Sequence, residues 1–120
     1  MSDAVSKGTR FANYMRDRWL RRIWPTADRA ALKGVKDDAD FVNCGKYMVE
    51  AKWRKSTKAW RIAGWVAVLR TKEVVHCKPW VLVCAEDMRH SRPIMVLDAD
   101  HGFHLLELEA RHELFERLPH

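Results

Sequence analysis

Three charged side chains interrupt an otherwise apolar stretch in the first half of the chain, ADFVNCGKYMVEAKW, residues 39–53. They are Asp40, Glu50 and Lys52. Alternate side chains of an extended strand point to the same face, so Glu50 and Lys52 would be neighbours about 6–7 Å apart. Asp40 lies ten residues before Glu50, and pairing of two strands across a turn would bring the two carboxylates opposite each other. The spacing therefore predicts two carboxylates and an amine close together on a sheet.

Such a group could hold a metal and cleave a phosphodiester. Two adjacent carboxylates disfavour each other's ionised form unless a cation lies between them. Oxygen ligands of this kind suit Mg²⁺ or Mn²⁺, which also accept water and phosphate oxygens. A neighbouring lysine could orient a metal-bound water or stabilise charge that develops on the phosphate. The alternative is a solvated strand face with a Glu50–Lys52 pair worth less than about 1 kcal/mol, and the spacing alone does not exclude it.

Composition predicts a folded globular chain. With 120 residues, of which 48% are hydrophobic and 32% charged, we expect a single domain over residues 1–120 with its own core. The chain has no apolar run of the roughly 20 residues that a membrane helix needs, and its first ten residues lack the apolar middle of a secretory signal. The expected location is the cytoplasm. Cys44, Cys77 and Cys84 are widely spaced, which predicts reduced thiols and no zinc site.

Positive charge is concentrated in the first half of the chain. Residues 1–60 hold 14 Lys and Arg against 7 Asp and Glu, a net charge of +7, whereas residues 61–120 hold 8 against 9, a net of −1. The basic half also carries four of the six tryptophans. A basic, aromatic half favours a polyanionic partner, most simply nucleic acid. A merely solvating set of lysines is the alternative.

Helices and strands alternate in the predicted structure. An apolar residue recurs every fourth position over residues 7–23, which predicts an amphipathic helix ended by Pro25. The four positions are Phe11, Met15, Trp19 and Ile23. Strands are predicted over 28–32, 39–43, 46–53, 78–86 and 92–98, the second and third forming a hairpin at Cys44-Gly45. Further helices are predicted from Ser56 or Thr57 to about Thr71, and from about His104 onward. The order α-β-β-β-α-β-β-α is typical of an α/β or α+β sheet flanked by helices.

This order, together with Asp40 and the run Glu50-Ala51-Lys52, resembles the PD-(D/E)xK nuclease superfamily, whose core is α-β-β-β-α-β. Within it the chain is most similar to the small Holliday-junction resolvases, including short phage-encoded ones. The resemblance spans residues 8–98. It includes the segments GTRFANYMRD, GVKDDADFV, YMVEAKWRK and AWRIAGW, with Arg29 between the first two.

The resemblance implies a restriction-endonuclease-like core with a central mixed sheet, an extra strand and a C-terminal helix. It implies a Mg²⁺-dependent, structure-selective endodeoxyribonuclease that resolves Holliday or other branched DNA junctions, with Mn²⁺ as a substitute metal. Asp40, Glu50 and the carbonyl of Ala51 would ligate the metal, and Lys52 would position the attacking water. Asp37 and Asp38 compete with Asp40 for its role. Many relatives carry a glutamate where this chain has Ala12, which leaves a second metal open.

We expect the partner to be DNA and the protein to be a two-fold homodimer, because a four-way junction is cut at two symmetry-related positions. The residues expected to bind the DNA backbone are Arg10, Arg29, Lys33, Lys36, Lys55 and Lys58. The expected dimer surface is the C-terminal half, with strands WVLVCA and IMVL and the final helix. The rival hypothesis is a DNA-binding or assembly protein that kept the fold and lost a catalytic acid, and Ala12 favours it.

Two further groups of residues were candidates for chemistry. His101 and His104 share a helix side, but no partner ligand is evident, so solvated histidines at a helix start are the better interpretation. Trp53, Trp60, Trp65 and Trp80 could stack on unpaired bases, but tryptophan is more often a core residue. We expect at most one of the four to contact a base.

Overall fold

The computed structural model describes residues 3–30, 39–55, 58–86 and 92–119. Its helical segments are α1 (Asp3–Met15), a π-helical turn (Arg16–Leu20), α2 (Arg21–Ile23), α3 (Ala59–His76) and α4 (Ala99–Arg117). Its strands are β1 (Asp28–Arg29), β2 (Phe41–Val42), β3 (Met48–Trp53), β4 (Trp80–Ala85) and β5 (Ile94–Val96). The class is α+β, and the order of elements agrees with the order expected from the sequence. Outside the described residues lie Lys33, Lys36, Asp37, Asp38, the expected helix caps Ser56 and Thr57, and the turn at 87–91.

The main sheet is mixed and has the order β3-β4-β5. Strands β3 and β4 are parallel, with Glu50 opposite Leu82, and β5 is antiparallel to β4. Parallel strands require a long connection, which α3 supplies. All six residues of β4 are buried. A central strand covered on both faces reads as one continuous apolar run, as WVLVCA does.

Both faces of the main sheet carry a core. Val49, Val81 and Val83 belong to one core, which also contains Phe11 and Met15 of α1. The opposite face has a second, smaller core of Met48, Leu69, Trp80 and Leu82, in which Leu69 comes from α3. Glu50 is on the β3 face that bears Met48, since side chains alternate along a strand. The alternation expected for residues 47–53 is therefore confirmed, but the Glu50 face is covered by a helix and is not a solvated surface.

The expected hairpin between the second and third strands is wrong. Strand β2 pairs antiparallel with β1, Arg29 lying opposite Phe41, and within the described residues it forms no ladder with β3. Two left-handed residues, Asn43 (φ 62°) and Gly45 (φ 60°), turn the chain between β2 and β3. A Cβ on Gly45 would lie 2.9 Å from the Trp24 indole nitrogen, so this turn is packed tightly against the end of the first helical region.

The π-helical turn changes which residues of the first helix are buried. The expected every-fourth stripe holds for Phe11 and Met15, but Trp19 is 42% exposed and Ile23 is 61% exposed. Leu20 is buried instead. A π turn closes hydrogen bonds over five residues and so adds one residue to the turn. The interval between buried residues is therefore four from Phe11 to Met15 and five from Met15 to Leu20.

The last two helices differ from their expected bounds. Helix α3 continues to His76, past Thr71, and ends where Cys77 takes a left-handed conformation and donates its N–H to the Glu73 carbonyl at 2.8 Å. Helix α4 begins at Ala99, five residues before the expected start. None of its described residues is buried. Among the described residues, no helix combines the length and apolarity needed to span a membrane.

Candidate active site

The Asp40 side chain accepts a hydrogen bond from the edge of β3 that faces away from β4. The backbone N–H of Met48 donates to Pro79 O at 2.8 Å, and that of Arg54 donates to Ala85 O at 3.1 Å. Even-numbered residues of β3 therefore direct their backbone groups toward β4, and Ala51 directs its own toward the opposite edge. There the Ala51 N–H donates to Asp40 Oδ2 at 2.9 Å. The N–H and carbonyl of a strand residue point to the same edge, so the Ala51 carbonyl shares this edge with Asp40.

Glu50 lies beside Asp40 but is buried. Its residue is only 7% exposed. Burial raises the pKa of Glu50 to about 7, and the neighbouring Asp40 carboxylate, which also shares a hydrogen bond with it, contributes to the rise. Asp40 and Glu50 are thus brought together as expected. The contact is made by side chains and by the Asp40–Ala51 hydrogen bond, without the strand pairing that the sequence suggested.

Lys72 of α3 forms an ion pair with Glu50. Its Nζ donates to Glu50 Oε1 at 3.2 Å and lowers the pKa of Glu50, which opposes the larger effect of burial. Lys72 was not predicted from the sequence as a site residue, because the helix was expected to end at Thr71. A signal was present: Lys72 follows Leu69 by three residues and so shares its inward helical face. Because β3 and β4 are parallel, α3 must carry the chain back from the end of β3 to the edge of the sheet where both strands begin. The end of α3 therefore lies near the start of β3.

Lys52 shares the strand face of Glu50, two residues further along β3, and is paired in register with Cys84. Its side chain is half-buried. Within the described part of the chain no hydrogen bond or ion pair holds its ammonium group. Glu50 therefore has one lysine bound to it and a second on the same face, and the second retains its donors for another ligand.

The oxygen atoms at this edge are of the type that a hard divalent cation prefers as ligands. Two carboxylates and a backbone carbonyl are ligands that Mg²⁺ uses, and Mg²⁺ commonly keeps several waters or takes substrate phosphates at its other positions. Burial and, after it, the Asp40 carboxylate raise the pKa of Glu50, and Lys72 offsets them only in part. The described residues contain no group of three or more His, Cys, Asp or Glu side chains that could hold a metal. The protein would therefore supply part of the ligand set, and water and phosphate the rest.

The expected backbone-binding residues fall into separate groups. Lys55 and Lys58 are exposed in the segment that follows β3. Arg10 is exposed on α1, which packs on the sheet face opposite Glu50. Arg29 is half-buried, and its Nη1 donates to Asn13 Oδ1 of α1 at 3.5 Å. The structure places Lys55 and Lys58 at the carboxyl end of β3 but associates Arg10 and Arg29 with the other face.

Two arginines that the sequence analysis did not choose lie near Lys55 and Lys58. The guanidinium of Arg54 is 5.6 Å from the centroid of the Trp65 ring, and that of Arg61 is 5.3 Å from the centroid of the Trp60 ring. Trp60 is 66% exposed. These cation–π pairs place basic and aromatic side chains together at the start of α3. The signal in the sequence was the cluster WRKSTKAWR, residues 53–61.

Three further residues considered from the sequence, Trp80, His101 and Ala12, are packed within the protein. Trp80 is 1% exposed, so it is a core residue. The His101 ring lies edge-on to Tyr47 with ring centroids 6.1 Å apart, and His101 is half-buried, which differs from the solvated histidine expected there. Ala12 is buried in the core between α1 and the sheet.

Comparison of the chain with protein-family models, with curated proteins and with solved structures finds no match.

Proposed function

We propose that this protein is a Mg²⁺-dependent, structure-selective endodeoxyribonuclease that acts on Holliday or other branched DNA. The observation that carries the proposal is the contact of the Asp40 carboxylate with the Ala51 N–H beside the buried carboxyl of Glu50. It brings the Asp40 carboxylate to Glu50 and Ala51 of the Asp, Glu-x-Lys pattern. The nuclease-like core, with a central mixed sheet flanked by helices, is part of the same proposal.

Each residue of the site has a distinct role in the proposed hydrolysis. Asp40, Glu50 and the Ala51 carbonyl would hold the metal. A bound Mg²⁺ would supply Lewis-acid stabilisation of the phosphate and lower the pKa of a coordinated water. Lys52 donates hydrogen bonds to the attacking water or to the scissile phosphate, where negative charge increases in the transition state. Lys72 keeps Glu50 oriented and favours its ionised form, which is the form that binds a cation.

DNA binding is assigned to the basic segment that follows β3. Lys55 and Lys58 contact phosphates there, and Lys33 and Lys36 stay candidates by their charge, whereas Arg10 and Arg29 belong to the other face of the sheet. Trp60 is the best placed of the four candidate tryptophans for stacking on an unpaired base, since it is the most exposed. A branch point interrupts base stacking and so can expose the face of a base to an aromatic side chain, whereas a continuous duplex keeps its bases stacked.

A specific observation favours a second function, that of a DNA-binding protein without nuclease activity. Lys72 already provides Glu50 with a cation at 3.2 Å, and a carboxyl with a pKa near 7 is partly protonated at neutral pH. An ion pair of this kind satisfies the buried acid without a metal. Under this alternative, Asp40 stabilises the free edge of β3 by accepting the Ala51 N–H, and the basic segment binds DNA unaided.

A cleavage assay on three DNA structures distinguishes the two functions. A four-way junction, a duplex and a single strand of matched sequence are each labelled and incubated with the protein in Mg²⁺ or in EDTA. The proposal expects products from the junction in Mg²⁺ and none in EDTA. Junction binding without products in either condition would support the non-catalytic alternative, and equal cleavage of all three DNAs would contradict structure selectivity.

A further inference from the structure

Helix α4 carries many large apolar side chains that are largely exposed in the single chain. By rotation of 100° per residue they form two stripes on opposite sides of the helix. Phe103, Leu106 and Leu114 form one stripe and are 67%, 59% and 63% exposed. Leu105, Leu108 and Phe115 form the other and are 43%, 45% and 60% exposed. A helix that is apolar on two sides is typically packed between neighbours, yet none of its described residues is buried.

Helix α3 presents an uncovered face of a complementary kind. Apart from Arg70, its exposed side between Ala63 and Val75 is uncharged. The members of this face are Ala63, Gly64, Ala67, Val68, Thr71, Val74 and Val75. A Cβ placed on Gly64 would meet nothing within 4 Å, so the space above the middle of the helix is open. Small residues let a second helix approach closely, and the large side chains of α4 would fill the space that they leave.

The surface area of the chain is larger than a compact monomer would have. The accessible surface is 8654 Å² for 14.1 kDa, against roughly 6,700 Å² expected for a folded monomer of that mass. The radius of gyration is 15.9 Å, against about 13.6 Å expected for this length. The excess of roughly 1,900 Å² is within the area that each chain of an obligate homodimer buries.

We propose that α4 of each chain packs on the exposed face of α3 in a second copy, so that two copies exchange their C-terminal helices about a two-fold axis. Such an exchange buries both uncovered surfaces by repeating one contact. Arg70 Nη2 on α3 donates to Asp98 Oδ1 at 2.7 Å, which fixes the start of α4 beside α3 of its own chain. The partner's α3 would therefore lie close to the axis.

This docking surface keeps the final helix of the one expected from the sequence, but it uses a face of α3 in place of the strand WVLVCA. Strand β4, WVLVCA, is entirely buried within its own chain and is unavailable to a partner. The α3 face was not expected to take part. The proposal does not depend on the nuclease assignment, because its test uses neither DNA nor metal.

Light scattering of the full chain at micromolar concentration tests the association. Wild-type protein should return twice 14.1 kDa. Gly64→Arg should return a single chain mass with unchanged circular dichroism, because the monomer has room for the new side chain but the docked α4 does not. Gly8→Arg is the matched control, since a Cβ on Gly8 also meets nothing within 4 Å, and it should remain dimeric. A monomeric wild type, or a Gly64→Arg protein that stays dimeric, would overturn the proposal.

Cysteine cross-linking tests the pairing of α4 with α3. Cys77 is exposed, so it is first replaced by Ser, whereas Cys44 and Cys84 are buried. In that background, Gly64→Cys protein is mixed with Leu106→Cys or Leu108→Cys protein, which probe the two stripes. After subunit exchange and oxidation, a disulfide between the two variants is expected from one of the two mixtures. A dimer that gives no mixed disulfide with either variant would contradict the pairing.

Discussion

The fold makes ionisation of the Glu50 carboxyl unfavourable. Burial and the Asp40 carboxylate both favour its protonated form, and Lys72 opposes them only in part. A group whose pKa is higher in the folded state than in the unfolded state stabilises the fold at low pH. Its contribution is complete below the unfolded pKa near 4.5 and is lost as the pH rises through about 7. A bound cation would compensate the charge of ionised Glu50 and so remove this loss of stability, which is what a cation-binding site requires.

Glu50→Gln should therefore change the pH dependence of stability. Gln mimics the protonated acid, so at pH 8 the variant should be more stable than wild type by on the order of 2–3 kcal/mol, and at pH 5 the two should be similar. Urea unfolding of both proteins from pH 5 to pH 8.5 measures this difference. In wild type, Mg²⁺ should raise stability more at pH 8 than at pH 5. A difference between the proteins that does not vary with pH would show that the Glu50 carboxyl is not perturbed.

Lys72→Met should raise the pKa of Glu50 further, because it removes the cation bound at 3.2 Å. If ionised Glu50 is needed for cleavage, the acidic limb of the pH–rate profile should move to higher pH. The maximal rate at high pH should fall less than the rate at pH 7. Lys72→Arg is the matched control, since it keeps a cation within reach of Glu50 and should leave the profile close to wild type. An unshifted profile in Lys72→Met would remove Lys72 from the site.

Among the elements, the first helical region gives the sharpest test of local structure. The π turn buries Leu20 and exposes Ile23, whereas a regular helix with the stripe of the sequence would bury Ile23. Leu20→Ala should thus destabilise the protein by about 2–4 kcal/mol, and Ile23→Ala by no more than about 0.5 kcal/mol. Urea midpoints of the two variants provide the comparison. A larger loss for Ile23→Ala would contradict the π-helical register.

The strand faces could be predicted from the sequence, but the pairing of strands could not. Alternation along β3 correctly separated Val49 from Glu50, because the period of two depends only on the extended backbone. The partner of β2 depended on how Asn43, Gly45 and Trp24 pack at the turn, which is a tertiary effect. Within the first helix, the π turn depends on packing in the same way, so a fixed period of four failed after Met15.

The candidate site was predicted in part for the same reason. Asp40, Glu50 and Lys52 were chosen from local spacing, and the structure places the two acids in contact. Lys72, on α3, is 22 residues beyond Glu50 in the sequence, and its approach to Glu50 depends on the crossover of α3. Arg10 and Arg29 were chosen by charge alone, which does not tell one sheet face from the other.

For the molecule as a whole, the uneven charge predicts salt-sensitive DNA binding. The logarithm of affinity should fall with the logarithm of salt concentration by about 0.9 for each phosphate contacted. Lys58→Ala should reduce that slope by about one unit for junctions of any sequence. Arg117→Ala, at the end of the acidic helix α4, is the control and should leave the slope unchanged. Affinity that does not respond to salt would contradict a phosphate-binding surface.

The central claim is that the edge of β3 cleaves DNA, and the single-turnover cleavage rate of Glu50→Gln tests it most directly. The variant is compared with wild type and with Glu109→Gln, the same change at an exposed position of α4. With a labelled four-way junction in Mg²⁺, we expect wild type and Glu109→Gln to cleave at similar rates. Glu50→Gln should bind the junction within a few fold of wild type and give no product. Cleavage by Glu50→Gln at the wild-type rate would contradict the assignment of this site.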